Sequence, residues 1–370
     1  MRKTVILEFL AAMLLVAACQ NTIMYEMDPN DAAITILAQL STSDTDHSIF
    51  LSLSYPDRLD SLPDATVDCY INGEKYRADE VPVPLEEYID WMTGEVKVYR
   101  PDDRYTEYRF SADINPRDEV RIEASKGNLE AWTVSVVQEP AVIVSVDTAT
   151  VVKSFDYQDF TGTETYTQEY MEFTVKMRDV KGVDNYFTMD GDLVSSGKLH
   201  YPPGDGPERT DYFILGPERV YYETFHDLVL EDGYSSGLGT MFEDLMPVNA
   251  MHCFSDKSFK DGEVIVRLYI PSNYFDYIGE ISSWQYPEAD YIEQQTTFRL
   301  HLKTVSREYY NYLRALNNMN TYGYEVSPIV EPTMLPNNVN GGMGMVSVAA
   351  DNIFKITFPV TVTEPMTLTY

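Results

Sequence analysis

Basic side chains are scarce in this chain. Only 27 Lys and Arg stand against 59 Asp and Glu in 370 residues, a formal net charge of −32. Binding to nucleic acid needs a basic stripe that displaces counterions from phosphates, so that partner is excluded. Histidine is equally thin, with five scattered residues and no H-E-x-x-H, and the three cysteines form no C-x-x-C, so the spacings that build a zinc site are missing. Long apolar runs are missing too. The one candidate, Val5 to Ala18, is 14 residues long and interrupted by Glu8, short of the roughly 20 residues a spanning helix requires. Core-forming material is plentiful: 44% of residues are hydrophobic, with 28 Tyr and 16 Phe, which argues against an acidic disordered chain. A chain of this length fits two domains at about 100–200 residues each.

The N-terminus has the layout of a secretory signal. Arg2 and Lys3 precede the apolar run, which ends in Leu15-Val16-Ala17-Ala18-Cys19. Small residues directly before a cysteine resemble a bacterial lipobox, in which the thiol is acylated. The expectation is therefore a signal peptide over residues 1–18, lipid attachment at Cys19 through palmitate-type chains, and a tether over residues 19–33. Two or more acyl chains anchor stably, each buried CH₂ contributing about 0.8 kcal/mol. Removing residues 1–18 leaves 25 basic and 58 acidic residues, a net −33. Gln20 follows the cysteine, which favours the outer membrane, and Glu26, Asp28 and Asp31 in the tether favour its cell-surface face over the periplasmic one. The two other cysteines, Cys69 and Cys253, read as separate buried thiols.

From Ile34 onward the pattern is strand alternation. Ile49, Leu51, Leu53 and Tyr55 share one face, with Ser48, Ser52 and Ser54 on the other. Ala65, Val67, Cys69 and Ile71 repeat the pattern before Asn72-Gly73, a pair suited to the positive φ of a two-residue hairpin turn. Val120, Ile122 and Ala124 face one way, Lys126-Gly127-Asn128 turns, and Trp132, Val134 and Val136 alternate on the returning strand. Beyond Gln138-Glu139-Pro140 come Val142, Val144 and Val146, then Met171 to Met177, Val264 to Ile270, and Phe298, Leu300 and Leu302. The fold class expected is mostly β: two antiparallel sandwich-like domains, over residues 34–140 and 141–370, the second with long loops. One helix is predicted near 306–318, N-capped by Ser306, with Tyr309, Leu313 and Leu316 on one face.

Ser306-Arg307-Glu308-Tyr309-Tyr310-Asn311-Tyr312-Leu313, Val330-Glu331-Pro332 and Asn337-Asn338-Val339-Asn340-Gly341-Gly342-Met343-Gly344 resemble the C-terminal signature of the Bacteroidetes lipoproteins of the domain-of-unknown-function 4249 family. Ala65-Thr66-Val67 and Asn185-Tyr186-Phe187 fit as well. The resemblance implies an outer-membrane protein whose genes neighbour TonB-dependent receptors, a first domain like the prealbumin or carboxypeptidase-regulatory sandwich, and no established reaction. Gly341, Gly342 and Gly344 suit positive φ or close backbone packing between strands.

Catalytic and metal patterns are weak. Gly233-Tyr234-Ser235-Ser236-Gly237 matches G-x-S-x-G, but no strand runs directly into it and no α/β alternation surrounds it, so a hydrolase built on Ser235 is rejected. Met241, Met246, Met251, His252 and Cys253 read as packing, and Asp190-Gly191-Asp192, with Asp156 and Asp159, as solvated acidic loops in preference to a Ca²⁺ site. No cofactor or metal is called for. Tyr274, Tyr277, Trp284, Tyr286 and Tyr291, in a stretch without steady alternation, form a candidate contact surface. The function expected is a non-enzymatic capture or accessory lipoprotein of a TonB-dependent uptake system, with a fimbrial or adhesin-like subunit as the alternative.

Overall fold

The structure is a computed structural model that describes residues 32–55, 58–82, 86–89, 96–99, 104–159, 162–201, 209–220, 222, 227–230, 249–259, 262–272, 275, 291–322 and 335–363. Cys19, Ser235, Met241, Met246, Tyr274, Tyr277, Trp284 and Tyr286 lie outside the described residues.

Alternating sequences become strands throughout. The first unit holds β1 (Ala33–Ser41), β2 (Asp46–Ser54), β3 (Leu59–Ser61), β4 (Thr66–Ile71), β5 (Glu74–Glu80), β6 (Glu86–Ile89), β7 (Val96–Tyr99), β8 (Thr106–Ser111), β9 (Glu119–Lys126) and β10 (Leu129–Val136). The second holds β11 (Val142–Asp159), β12 (Gly162–Arg178), β13 (Tyr186–Tyr201), β14 (Arg209–Val220), β15 (Cys253–Ser255), β16 (Glu263–Pro271), β17 (Tyr291–Val305), helix α1 (Arg307–Tyr322), β18 (Met343–Thr357) and β19 (Thr361–Thr363). The protein is mostly β with one α-helix among the described residues, as its patterning predicts.

In the first unit the strands pair in the order β10-β9-β4-β5-β8-β2-β1-β18. The path curls back on itself, because Trp132 of β10 exchanges two backbone hydrogen bonds with Asn340, just ahead of β18 (2.9 and 2.7 Å). Ile36, Ile49, Leu51, Val67, Cys69, Ile122 and Val348 fill the enclosed core. Asn72 and Gly73 turn the β4–β5 hairpin at φ 51° and 85°, the conformation their sequence asks for. Tyr108 links this core to its loop: its hydroxyl donates to Leu62 O (2.7 Å) and accepts from Ala65 N–H (2.8 Å). Tyr108→Phe leaves that buried N–H unsatisfied, and a loss of about 2 kcal/mol in urea denaturation is expected.

The second unit is a sandwich. Its three-stranded sheet β11-β12-β16 packs face to face on β14-β13-β17 and the second half of β18. Phe173, Val175, Met177, Val266 and Leu268 on one side meet Phe187, Met189, Phe298, Leu300 and Leu302 on the other. The described residues place β18 in both units. Met343–Ala349 pair in parallel with β1, the one parallel ladder among the described residues, and residues 350–357 pair antiparallel with β17.

At three places alternation alone does not say which face is inside. Trp132, Val134 and Val136 are 39–50% exposed while Ala131, Thr133 and Ser135 face inward. The incoming segment before β18 explains it. Gly342 comes so close to β10 that a Cβ on it would stand 2.8 Å from the Ala131 methyl, and Thr133 Oγ1 bonds Asn338 O (2.8 Å), so only small side chains fit that face. Trp132 lies instead outside, under the Arg121 guanidinium (4.9 Å). Val142 and Val144 also point outward, because a bulge between Ile143 and Ser145 changes the phase and sends Ile143 inside. Ser52 and Ser54 are buried as fully as their apolar neighbours, with Ser54 bonded to Thr35 (2.5 Å).

Helix α1 begins as expected: Ser306 Oγ accepts the Tyr309 N–H (3.2 Å), and Tyr309 and Leu313 are buried. Its buried arc is wider than the predicted stripe. Tyr310 packs on Tyr186 (4.9 Å between rings), and Asn317 joins Asn249, the Met251 N–H and Cys253 in a buried amide network. Cys69 and Cys253 are separate buried thiols, and burial, with Asp68 adding to it, pushes the Cys69 thiol up to about 12.

Candidate functional site

The two faces of the β17 strand have opposite chemistry. Phe298, Leu300 and Leu302 enter the sandwich core, while Arg299, His301 and Lys303 stand on the far side of the sheet. On the neighbouring β13, Asp190 and Asp192 face the same way. In register, Asp192 stands opposite Arg299, Asp190 opposite His301, and Asp351 of β18 opposite Lys303.

These side chains form a continuous ion-pair lattice. Arg299 grips Asp192 with two parallel hydrogen bonds (2.6 and 2.9 Å). His301 lies between two carboxylates, Nε2 3.0 Å from Asp192 and Nδ1 2.7 Å from Asp351. Lys303 donates to Asp190 (2.8 Å), which Arg219 of β14 approaches at 3.5 Å. Burial alone would push the His301 imidazole down, but its hydrogen bonds to Asp192 and Asp351 outweigh that and raise it to about 9. It is an imidazolium at neutral pH, donating from both nitrogens. Burial would raise both carboxyls of β13. The Lys303 ammonium, then Arg219, holds Asp190 below the usual carboxylate range, and His301 with Arg299 does the same for Asp192. Asp190 and Asp192 are thus strand residues in ion pairs, neither a solvated acidic loop nor a Ca²⁺ site.

The lattice floors a cleft of about 550 Å³ on the outer face of the sheet, where the two units meet. Gln39 and Ser41 of β1, with Ser43 and Asp44 in the following turn, form its first-unit wall. That turn is tied to β18: Thr42 N–H donates to Ala349 O, Thr42 Oγ1 accepts from Asp351 N–H, and Ser43 Oγ donates to Asp351 Oδ2, each at 3.0 Å. Pro217 and Arg219 close the charged end. At the other end Met251, Val305, Tyr309, Leu313 and Ala349 make an apolar wall carried by α1 and its neighbours. The cleft is therefore graded, from charged to apolar, along the strands.

Two polar atoms in its lining stand out. The Asp351 side chain is 0% exposed, and its Oδ1 has no hydrogen-bond partner among the described residues. Ser347, two residues before Ala349 on the same face of β18, is 2% exposed, and its Oγ likewise has none. Buried polar atoms are nearly always satisfied, so each such atom calls for a partner.

The sequence-derived candidates fall elsewhere. Among the proposed aromatic contact residues only Tyr291 enters the described chain, as the first residue of β17, opposite His200. His252 does not join His301: it is buried, stacked on Tyr222 (3.8 Å between rings), and burial pushes it down to about 4. Gly341, Gly342 and Gly344 are backbone-packing residues, Gly341 against β10, Gly342 between β10 and β1, and Gly344 against β1, as their spacing suggests. Asp351, Ser347, Arg299 and Lys303 were not among the candidates. The signal was nonetheless present in Phe298-Arg299-Leu300-His301-Leu302-Lys303, where a base-poor chain places three basic side chains on one strand face.

No curated protein matches the chain. Among solved structures, a DUF4785 family protein from Legionella pneumophila aligns at 9% identity over 72% of this chain and 51% of that one, with a TM-score of 0.20. This chain covers about half of that protein, and a likeness so slight carries no argument. Residues 20–352 match the family model described as Domain of unknown function (DUF4249), so on the greater part of its length the chain belongs to the DUF4249 family.

Proposed function

We propose that this protein is a lipid-anchored, non-catalytic capture protein of the outer membrane, facing the cell surface, that holds a small polar ligand in the cleft between its two β units as an accessory to a TonB-dependent receptor. The observation that carries the reading is the 550 Å³ cleft, which falls in the size range of small-molecule sites and contains buried polar atoms awaiting partners. Its chemistry favours holding over reacting. A histidine clamped by two carboxylates and kept protonated is unsuited to general-base work at neutral pH. The lipobox ending at Cys19 supports the anchor, and the strong net acidity supports a body held clear of anionic membrane surfaces on its tether.

Two measurements test this reading. Wild-type protein is expected in the detergent phase of a cloud-point partition and Cys19→Ala in the aqueous phase; equal partitioning removes the anchor. Purification in mild detergent is expected to bring down a TonB-dependent receptor. Absence of any receptor, together with no ligand taken from cell extracts, defeats the accessory role.

A further inference from the structure

The cleft restricts the class of ligand it can accept, an inference that rests on the capture reading above. Its charged groups balance: Asp44, Asp190, Asp192 and Asp351 are matched by Arg219, Arg299, Lys303 and a protonated His301. In a chain where acids outnumber bases by 59 to 27, this is a locally neutral site inside a negative field. Such a field discourages anions, and the balance inside discourages ligands of large net charge of either sign. The cations of the lattice already have carboxylate partners. The group left wanting is an acceptor, Asp351 Oδ1, and the strongest complement to a buried carboxylate oxygen is a charged N–H donor.

Register fixes what lies beside that acceptor. Asp351 is opposite Lys303, and two residues further along the strands come Ala349 and Val305, then the helix residues Tyr309 and Leu313. Ser347 lies four residues from Asp351, roughly 13 Å along the strand, so one small group cannot satisfy both atoms, whereas an elongated ligand can reach each. Asp351 lines the cleft, and the exposed Ser43 holds its other carboxylate oxygen (3.0 Å).

We propose that the cleft binds an elongated, net-neutral ligand with a primary ammonium group next to an apolar body, of the size of an apolar dipeptide. The ammonium sits on Asp351 Oδ1, the apolar body lies against Ala349, Val305, Tyr309 and Leu313, and Ser347 Oγ bonds a polar group further along.

Isothermal titration of the full-length protein in detergent with four probes tests the assignment: leucyl-leucine, N-acetyl-leucyl-leucine, glycyl-glycine and maltose. Leucyl-leucine is expected to bind, with acetylation of its amine or removal of its side chains weakening it at least tenfold. Asp351→Asn is expected to weaken it at least tenfold, with circular dichroism showing the fold retained. Ser347→Ala, which removes an atom with no described partner, is expected to weaken it several-fold without lowering the melting temperature. Equal binding of the acetylated probe, or unchanged binding by both variants, overturns the proposal. Maltose bound in place of the dipeptide, and lost in Ser347→Ala, overturns the ammonium assignment while leaving capture intact. If no probe binds and protein taken from its own membranes carries no small molecule, both readings fall.

Discussion

Gly344→Ala is expected to cost about 4 kcal/mol, enough to unfold the junction between the two β units in a protein of ordinary stability. Gly344 adopts φ +121°, a conformation that L side chains rarely adopt. A Cβ there would stand 2.0 Å from Ile36 O and 2.8 Å from its carbonyl carbon. Those atoms belong to the β1 backbone, which is paired with β18 from Thr35 to Ser41 and cannot swing aside as a flexible side chain would. Backbone strain and overpacking therefore add. Gly127→Ala is the control. It also has positive φ (+63°), but nothing lies within 4 Å of its added Cβ, so only the conformational term of about 1 kcal/mol applies. Urea midpoints for the two variants check the ordering, and equal losses would show that β18 does not dock on β1 this closely.

Stability is expected to peak near pH 6.5, with a different histidine governing each side. The folded value of His301 is about 9 against 6.5 for the free side chain. The folded state therefore binds the proton more tightly. The stabilisation is fully present below pH 6.5 and is lost as pH rises through 9, a total of about 3 kcal/mol at 1.36 kcal/mol per unit. His252 acts in the opposite sense. Burial takes it from 6.5 to about 4, so the unfolded chain binds its proton more tightly and stability falls by a similar amount between pH 6.5 and 4. Groups facing His301 sharpen the assignment: Asp192 and Asp190 from β13, Asp351 from β18, Arg299 and Lys303 from β17, and Arg219 from β14. The lowered carboxyls of Asp190 and Asp192 keep their stabilisation until pH falls through their own folded values, below the window in which His301 acts. His301→Gln is expected to flatten the alkaline limb between pH 6.5 and 9, leave the acid limb unchanged and lower stability at pH 6. Denaturation curves at pH 5, 6.5, 8 and 9 measure it.

The fold was legible where one face of a strand decided its identity. Val67-Asp68-Cys69-Tyr70-Ile71 followed by Asn72-Gly73 leaves little choice of register or turn. It was undecided at Trp132, Val134 and Val136, because strand alternation names two faces without saying which is inside. The decision came from a segment some 200 residues away that needs Ala131 and Thr133 to be small. The same distance hid the cleft. Arg299, His301 and Lys303 are visible as one face of a strand, and Asp190 and Asp192 as one face of another, but only pairing of β13, β17 and β18 brings them together. Asp351 is the extreme case. In the sequence it is one acid among 59, and its burial, its contact with His301 and its unmet Oδ1 all follow from the crossing of β18 between two units.

Native mass spectrometry of the full-length protein released from its own membranes tests the central claim most directly, since it asks whether the junction cleft holds a small molecule. The account predicts a small-molecule adduct on wild-type protein that is lost from Asp351→Asn and reduced in Ser347→Ala. An adduct retained undiminished by both variants, or none on the wild type, would contradict it.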